Sequence, residues 1–189
     1  MSIHNTAAVA AICLAAIFLA QNAQAQAQTK YGFGAAASPQ DLSTFFAIPA
    51  DGTGLPAGSG TAAEGAKVFA ENCAICHGDH LEGNAAPGLG GDKLIGGRGS
   101  LATATPVKTV ESYWPYSTTL FDYIKRAMPF SSPGSLSDDQ VYSVVAYILS
   151  QAKIIKPTET MSATSLPKVQ MPNRNGFEPD PRPELELYH

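Results

Sequence analysis

The chain has 189 residues, of which 44% are hydrophobic and 8% aromatic, with a formal net charge of −4; this is the range of an ordinary globular protein with one core. Its 12 Lys and Arg residues are scattered rather than gathered into a block, so no basic track for a phosphate backbone is present and nucleic acid is not an expected partner.

Residues 1–27 read as a secretory signal. An unbroken apolar run over 7–20 is followed by Ala23-Gln24-Ala25 and Ala25-Gln26-Ala27, two small-x-small cleavage patterns. The run has 14 residues, short of the ~20 that a helix needs to cross a bilayer, so export to the periplasm with no membrane span after cleavage is expected. A retained anchor is the alternative, since neither Lys nor Arg precedes the run. Cys13 falls inside the signal, and cleavage leaves Cys73 and Cys76 as the cysteines of the mature chain.

Residues 28–60 form an expected extended arm, rich in small residues and with turn formers concentrated from Pro49 to Pro56. Regular structure is expected over 61–152. Thr61-Ala62-Ala63-Glu64 has the capping-box pattern and opens a helix over about 62–73. Gly65 inside it costs about 1 kcal/mol against Ala, which makes sense if another helix packs closely there. A second helix is expected over 118–127, ending because Pro129 pushes Met128 out of the helical region. A third starts at Ser137-Asp138-Asp139-Gln140, with Leu136 able to staple to Val141. Val141, Val144, Val145, Ile148 and Leu149 then recur at helical spacing through about Gln151. A glycine-rich loop over 83–99 and the aromatic turn Tyr113-Trp114-Pro115-Tyr116 lie between the first two helices. No strand pair of any length and no internal repeat is found. Residues 153–189 form a Pro-rich tail that either wraps its own domain, docks on a partner or stays disordered.

The chemistry is concentrated in Cys73-Ala74-Ile75-Cys76-His77, the C-x-x-C-H pattern of covalent haem attachment. Two thiols three positions apart at a helix end can each add to one vinyl group of a porphyrin, and the adjacent imidazole then lies under the iron. Two other readings stand beside this one. A thioredoxin-like pair would sit at a helix start within a strand-helix-strand unit, and a zinc site built on Cys73, Cys76 and His80 lacks a fourth ligand. His80 reads as a solvated loop residue. A thioether is the expected sixth iron ligand of a carrier, and Met128, held extended before Pro129, is the best placed; Met161 and Met171 in the tail are the alternatives. A haem would also complete a small, glycine-rich core, so haem-free protein is expected to fold poorly.

Cys73 to His77, Ala86-Pro87-Gly88-Leu89, Met128-Pro129 and a last helix bearing Tyr147 together resemble a class I cytochrome c over 61–152. The resemblance implies an all-α globule around one covalent haem c, with Cys73 and Cys76 binding the cofactor and His77 and Met128 binding the iron. It also implies crossed first and last helices, with Gly65 and Phe69 meeting Tyr147, and a Pro87 carbonyl accepting a hydrogen bond from the His77 ring. Trp114 or its tyrosine neighbours either contact the haem propionates or pack in the core.

A narrower resemblance rests on residues 51–56, on Tyr113 to Tyr116 with Leu120 to Ile124, and on residues 171–177. These are similar to the cytochrome subunits of bacterial sulfite dehydrogenases and to the related Sox dehydrogenase cytochrome. That likeness implies a molybdenum-cofactor dehydrogenase as electron donor and a downstream cytochrome or oxidase as acceptor. A single C-x-x-C-H implies one haem. No catalytic residue is expected, since no nucleophile-base pair or carboxylate pair stands out, and the chain reads as an electron-transfer protein rather than an enzyme by itself. Lys125 and Arg126 are candidates for docking an acidic partner. The competing reading is an open-haem enzyme or sensor that binds peroxide, a gas or a sulfur compound.

Overall fold

The computed structural model describes residues 36–38, 47–85 and 90–182. The expected signal, residues 28–35 and 39–46 of the expected arm, Ala86 to Leu89 and residues 183–189 lie outside the described residues. The chain divides into two compact units, Met1–Phe46 and Ala47–His189, and every element named below belongs to the second.

In chain order these are β1 (Ser59–Thr61), α1 (Ala62–Asn72), α2 (Ala74–His77), α3 (Ser117–Ala127), α4 (Asp138–Gln151), β2 (Thr160–Ser162) and a 3-10 turn (Leu166–Lys168). The fold is mainly helical, and its long helices begin where the sequence signals them. Thr61 Oγ1 accepts from the Glu64 amide at 3.3 Å while the Glu64 carboxylate accepts from the Thr61 amide at 2.9 Å. Ser137 and Gln140 make the same reciprocal pair at 3.3 and 2.9 Å. Each cap satisfies amides that the helix leaves unpaired, an effect of about 1 kcal/mol. Helix α3 starts one residue ahead of expectation, at Ser117, and has no side-chain cap. Its last turn ends at Met128, whose backbone is extended (φ −122°, ψ 149°), as the following proline requires.

Helix α4 is the centre of the core. Residues 141–146 and 148–150 are all buried, so it is covered on nearly every side. It crosses α1 at Gly65, where a β-carbon would overlap the Ser143 carbonyl and stand 2.8 Å from Tyr147 Cβ. One turn further on, the Phe69 and Tyr147 rings meet with centroids 5.2 Å apart. On another side of α4, Phe121 of α3 packs against Tyr142 with centroids 4.4 Å apart, and the Tyr142 hydroxyl donates to the Pro56 carbonyl at 2.9 Å.

One feature departs from the sequence reading, and for the tail one of its alternatives is realised. Strands β1 and β2 form a short antiparallel ribbon in the register Ser59↔Ser162, Gly60↔Met161, Thr61↔Thr160. Three-residue strands carry too little alternation to be seen as a pattern. The described part of the tail also lies on its own globule: Met161, Leu166, Val169 and Met171 are buried in the core cluster, the Ser117 hydroxyl donates to the Leu166 carbonyl at 2.7 Å, and Asn173 Nδ2 donates to the Tyr113 carbonyl at 2.7 Å.

Candidate functional site

Cys73 caps α2, and Cys76 and His77 lie within its single turn, so the two thiols and the imidazole share one turn of backbone. Both cysteines are half-buried, as is His77. Burial, with a smaller contribution from the neighbouring Cys76, pushes the Cys73 thiol up to about 11. A redox-active pair of the thioredoxin kind needs a thiol whose pKa is lowered, so Cys73 does not have that character. Among the described residues no group of three or more His, Cys, Asp or Glu side chains is arranged to hold a metal ion, which leaves the zinc reading of Cys73, Cys76 and His80 without support. His80 is exposed.

The loop after α2 anchors this turn through its carbonyls. The Ile75 carbonyl accepts from Asn84 Nδ2 at 3.0 Å, that of Cys76 from the Gly91 amide at 2.9 Å, and that of His77 from the Gly83 amide at 2.8 Å. The His77 ring is fixed in turn, with Nδ1 standing 2.7 Å from the Asp92 backbone carbonyl. A carbonyl can only accept, so Nδ1 carries the hydrogen, and in the neutral ring Nε2 then keeps its lone pair. That is the tautomer an Nε2 metal ligand requires, and the carbonyl raises its basicity. The resemblance pointed to Pro87 for this role; Pro87 lies outside the described residues, and the acceptor that the described residues provide is Asp92. Gly91 makes the approach possible, since a β-carbon there would stand 2.7 Å from the Cys76 carbonyl oxygen and 3.0 Å from His77 Nδ1. Neither Asp92 nor Asn84 was marked by sequence reasoning. The first acts through its backbone, and the only trace of the arrangement in the sequence is the density of glycine around it.

Met128, half-buried at the C-terminus of α3, borders the same apolar cluster as Cys73, Leu94, Trp114 and Tyr147. Met161 and Met171 are instead 2% and 3% exposed within that cluster. Trp114 is partly buried with its ring edge-on to Tyr123, centroids 5.6 Å apart. Large apolar side chains face water next to both halves of the candidate site: Ile75, between the cysteines, is 66% exposed and Phe130, two residues after Met128, is 85% exposed. Lys125 and Arg126, the candidates for docking, are each paired within the chain. Lys125 pairs with Asp138 at 2.8 Å and Arg126 with Asp122 at 2.6 Å.

This donor set suits a haem. Two half-buried thiols, an imidazole with its Nε2 lone pair preserved and a half-buried thioether are the groups that tether a porphyrin and ligate its iron. In addition, Thr118 Oγ1 on α3 is buried with no protein partner, a deficit that a bound group or water would relieve.

The cytochrome c family profile matches residues 62–152. Cytochrome c6 from Synechococcus elongatus is 36% identical over 95 residues, which make up 48% of this chain and 90% of that protein. The chain belongs to the cytochrome c family. Its members carry haem c covalently and carry electrons, and the match places this cytochrome among them. Among solved structures, a chain of the sulfane dehydrogenase SoxCD from Paracoccus pantotrophus matches with a TM-score of 0.69 and 40% identity, covering 84% of this chain and 77% of that one. Thiosulfate dehydrogenase from Stutzerimonas stutzeri (strain A1501) is 32% identical over 98 residues, 52% of this chain but 30% of that protein. This cytochrome therefore spans less than a third of the length of that relative. Among the described residues no helix is long and apolar enough to cross a membrane.

Proposed function

We propose that this protein is a periplasmic monohaem cytochrome that passes single electrons, in which Cys73 and Cys76 would tether the haem and His77 and Met128 would bind its iron. The observation that carries this reading is the hydrogen bond from His77 Nδ1 to the Asp92 carbonyl at 2.7 Å, which keeps Nε2 free on the same turn as both thiols. When bound, the haem supplies one reversible electron at its iron. The remaining work falls to the chain. Cys73 and Cys76 would hold the porphyrin at two points, Gly83, Gly91 and Asp92 fix the imidazole and its turn, and the core of α1, α3 and α4 excludes water. Met128 supplies a thioether that favours the ferrous state. Ile75 and Phe130 give the exposed apolar contacts through which an electron-transfer partner can approach.

The donor in this reading is a molybdenum dehydrogenase that oxidises sulfite or another sulfur compound, and the acceptor is a downstream cytochrome or oxidase. The similarity to a SoxCD chain over most of both lengths supports the sulfur assignment. Covalent attachment is tested by haem staining on denaturing gels and by intact mass. Wild type retains one haem, Cys73→Ala and Cys76→Ala each retain it through one thioether, and the double variant loses it; a double variant that keeps covalent haem overturns the assignment. The donor is tested by mixing oxidised protein with sulfite, with and without a molybdenum sulfite dehydrogenase. Reduction only with the enzyme supports the reading, whereas equal rates in both mixtures contradict it.

A further inference from the structure

The segment that carries Met128 leaves α3 and rejoins regular structure at the Ser137 cap of α4. Between the two, residues 130–135 are exposed. Within the segment, the Ser132 amide donates to the Pro129 carbonyl at 2.9 Å and the Ser135 amide to the Ser132 carbonyl at 3.3 Å. Both bonds are local and neither ties the segment to the rest of the molecule. Lys125 makes the tie across its base. From the last turn of α3, its ammonium donates to the Leu136 carbonyl at 3.0 Å and pairs with Asp138 Oδ1 at 2.8 Å. One side chain thus joins the residues on either side of the loop, just before Met128 and just after Ser135. The Lys125 and Asp138 side chains are each 35% exposed, so the pair is partly shielded from solvent.

We propose that Lys125 is a positioning residue for Met128: its bridge from α3 to Leu136 and Asp138 holds closed the loop that presents the thioether. The inference rests on Met128 being the sixth ligand. In this role Lys125 acts not as a ligand but by limiting how far the loop can swing away. Fixing both ends of a loop reduces the conformations open to it, so an open form with the thioether withdrawn becomes rarer. A competing ligand binds only that open form, and its affinity reports the open fraction directly.

The test is an imidazole titration of ferric holoprotein, followed by loss of the long-wavelength charge-transfer band between the methionine sulfur and ferric iron. Lys125→Gln removes the charge and shortens the side chain so that it no longer spans the loop; its midpoint should fall about tenfold, equivalent to about 1.4 kcal/mol of loop closure. Lys125→Arg should restore most of the difference, since a guanidinium can reach the same two acceptors. Arg98→Gln removes a comparable tie elsewhere, the pair of Arg98 with Glu111 at 2.7 Å and its hydrogen bond to the Ala152 carbonyl at 2.7 Å, and should leave the imidazole midpoint unchanged. A wild-type band with the same midpoint in Lys125→Gln, or an equal fall in Arg98→Gln, overturns the clasp while leaving Met128 ligation intact. Absence of the band from the wild type overturns Met128 ligation and the clasp with it.

Discussion

Gly65 of α1 faces the backbone carbonyl of Ser143 on α4 so closely that a β-carbon at position 65 would overlap the oxygen. The obstacle is backbone, so the helices themselves must separate to admit even a methyl group. Gly65→Ala gains about 1 kcal/mol in helix propensity, yet overpacking of this kind costs roughly 1–3 kcal/mol and pulls apart the Phe69–Tyr147 contact one turn away. The net loss of up to about 2 kcal/mol should lower the thermal midpoint of the variant by a few degrees, up to about 8 °C. An unchanged or higher midpoint means the two helices are not held at this spacing.

The hydrogen bond from His77 Nδ1 to the Asp92 carbonyl would make the ring a stronger donor to a bound iron, and it depends on Gly91 having no side chain. Gly91→Ala places a β-carbon against Cys76 and the His77 ring, which moves the carbonyl away. A less basic imidazole stabilises ferric iron less, so the reduction potential should rise. Only the part of the hydrogen bond's roughly 1 kcal/mol that differs between the ferric and ferrous states moves the potential, so the rise should be at most roughly 40 mV for a one-electron couple. Potentiometric titration of the two proteins measures it, and a fall in potential contradicts the argument.

Tyr142 makes a prediction for alkaline solution. Burial, and then the negative charge of Asp138, push its phenol up to about 12, while an unfolded tyrosine ionises near 10. Above about pH 10 the unfolded chain has lost a proton that the folded chain still holds. The stabilisation is therefore complete below about pH 10 and is lost as pH rises through 12. Tyr147, raised by burial and by Asp79, adds to the same trend. Tyr142→Phe should be about 1 kcal/mol less stable at neutral pH, because the Pro56 carbonyl loses its donor, and should show a shallower decline from pH 10 to 12. Urea midpoints across that range test both statements.

The tail is part of the core. Met161, Leu166, Val169 and Met171 are each 8% exposed or less, and burying such side chains contributes roughly 1.5–3 kcal/mol apiece. Four of them rival the total stability of an ordinary domain, about 5–15 kcal/mol. A chain ending after Lys156 should therefore fail to melt cooperatively. Leu166→Ala in the full chain should cost about 2–5 kcal/mol.

What the sequence made legible was local. Both capping boxes are complete within four residues, the stripe on α4 repeats within one helix, and the proline after Met128 acts on its immediate neighbour. The relations that escaped it span distance or run through backbone. Asp92 serves the site by its carbonyl, which leaves no side-chain signature, and the pairing of Gly60 with Met161 joins segments a hundred residues apart. Lys125 reads as a candidate for docking because nothing near it in sequence points to Asp138, which the turn after Met128 brings alongside.

The most direct test of the account is the visible spectrum of the purified ferric protein beside that of Met128→Ala. A band from methionine sulfur to ferric iron in the wild type, lost in Met128→Ala and kept when Met161 or Met171 is changed to Leu, is the predicted result. A wild-type spectrum without that band, or a band that survives Met128→Ala, would contradict the His77/Met128 assignment and make an open haem or another ligand the leading description.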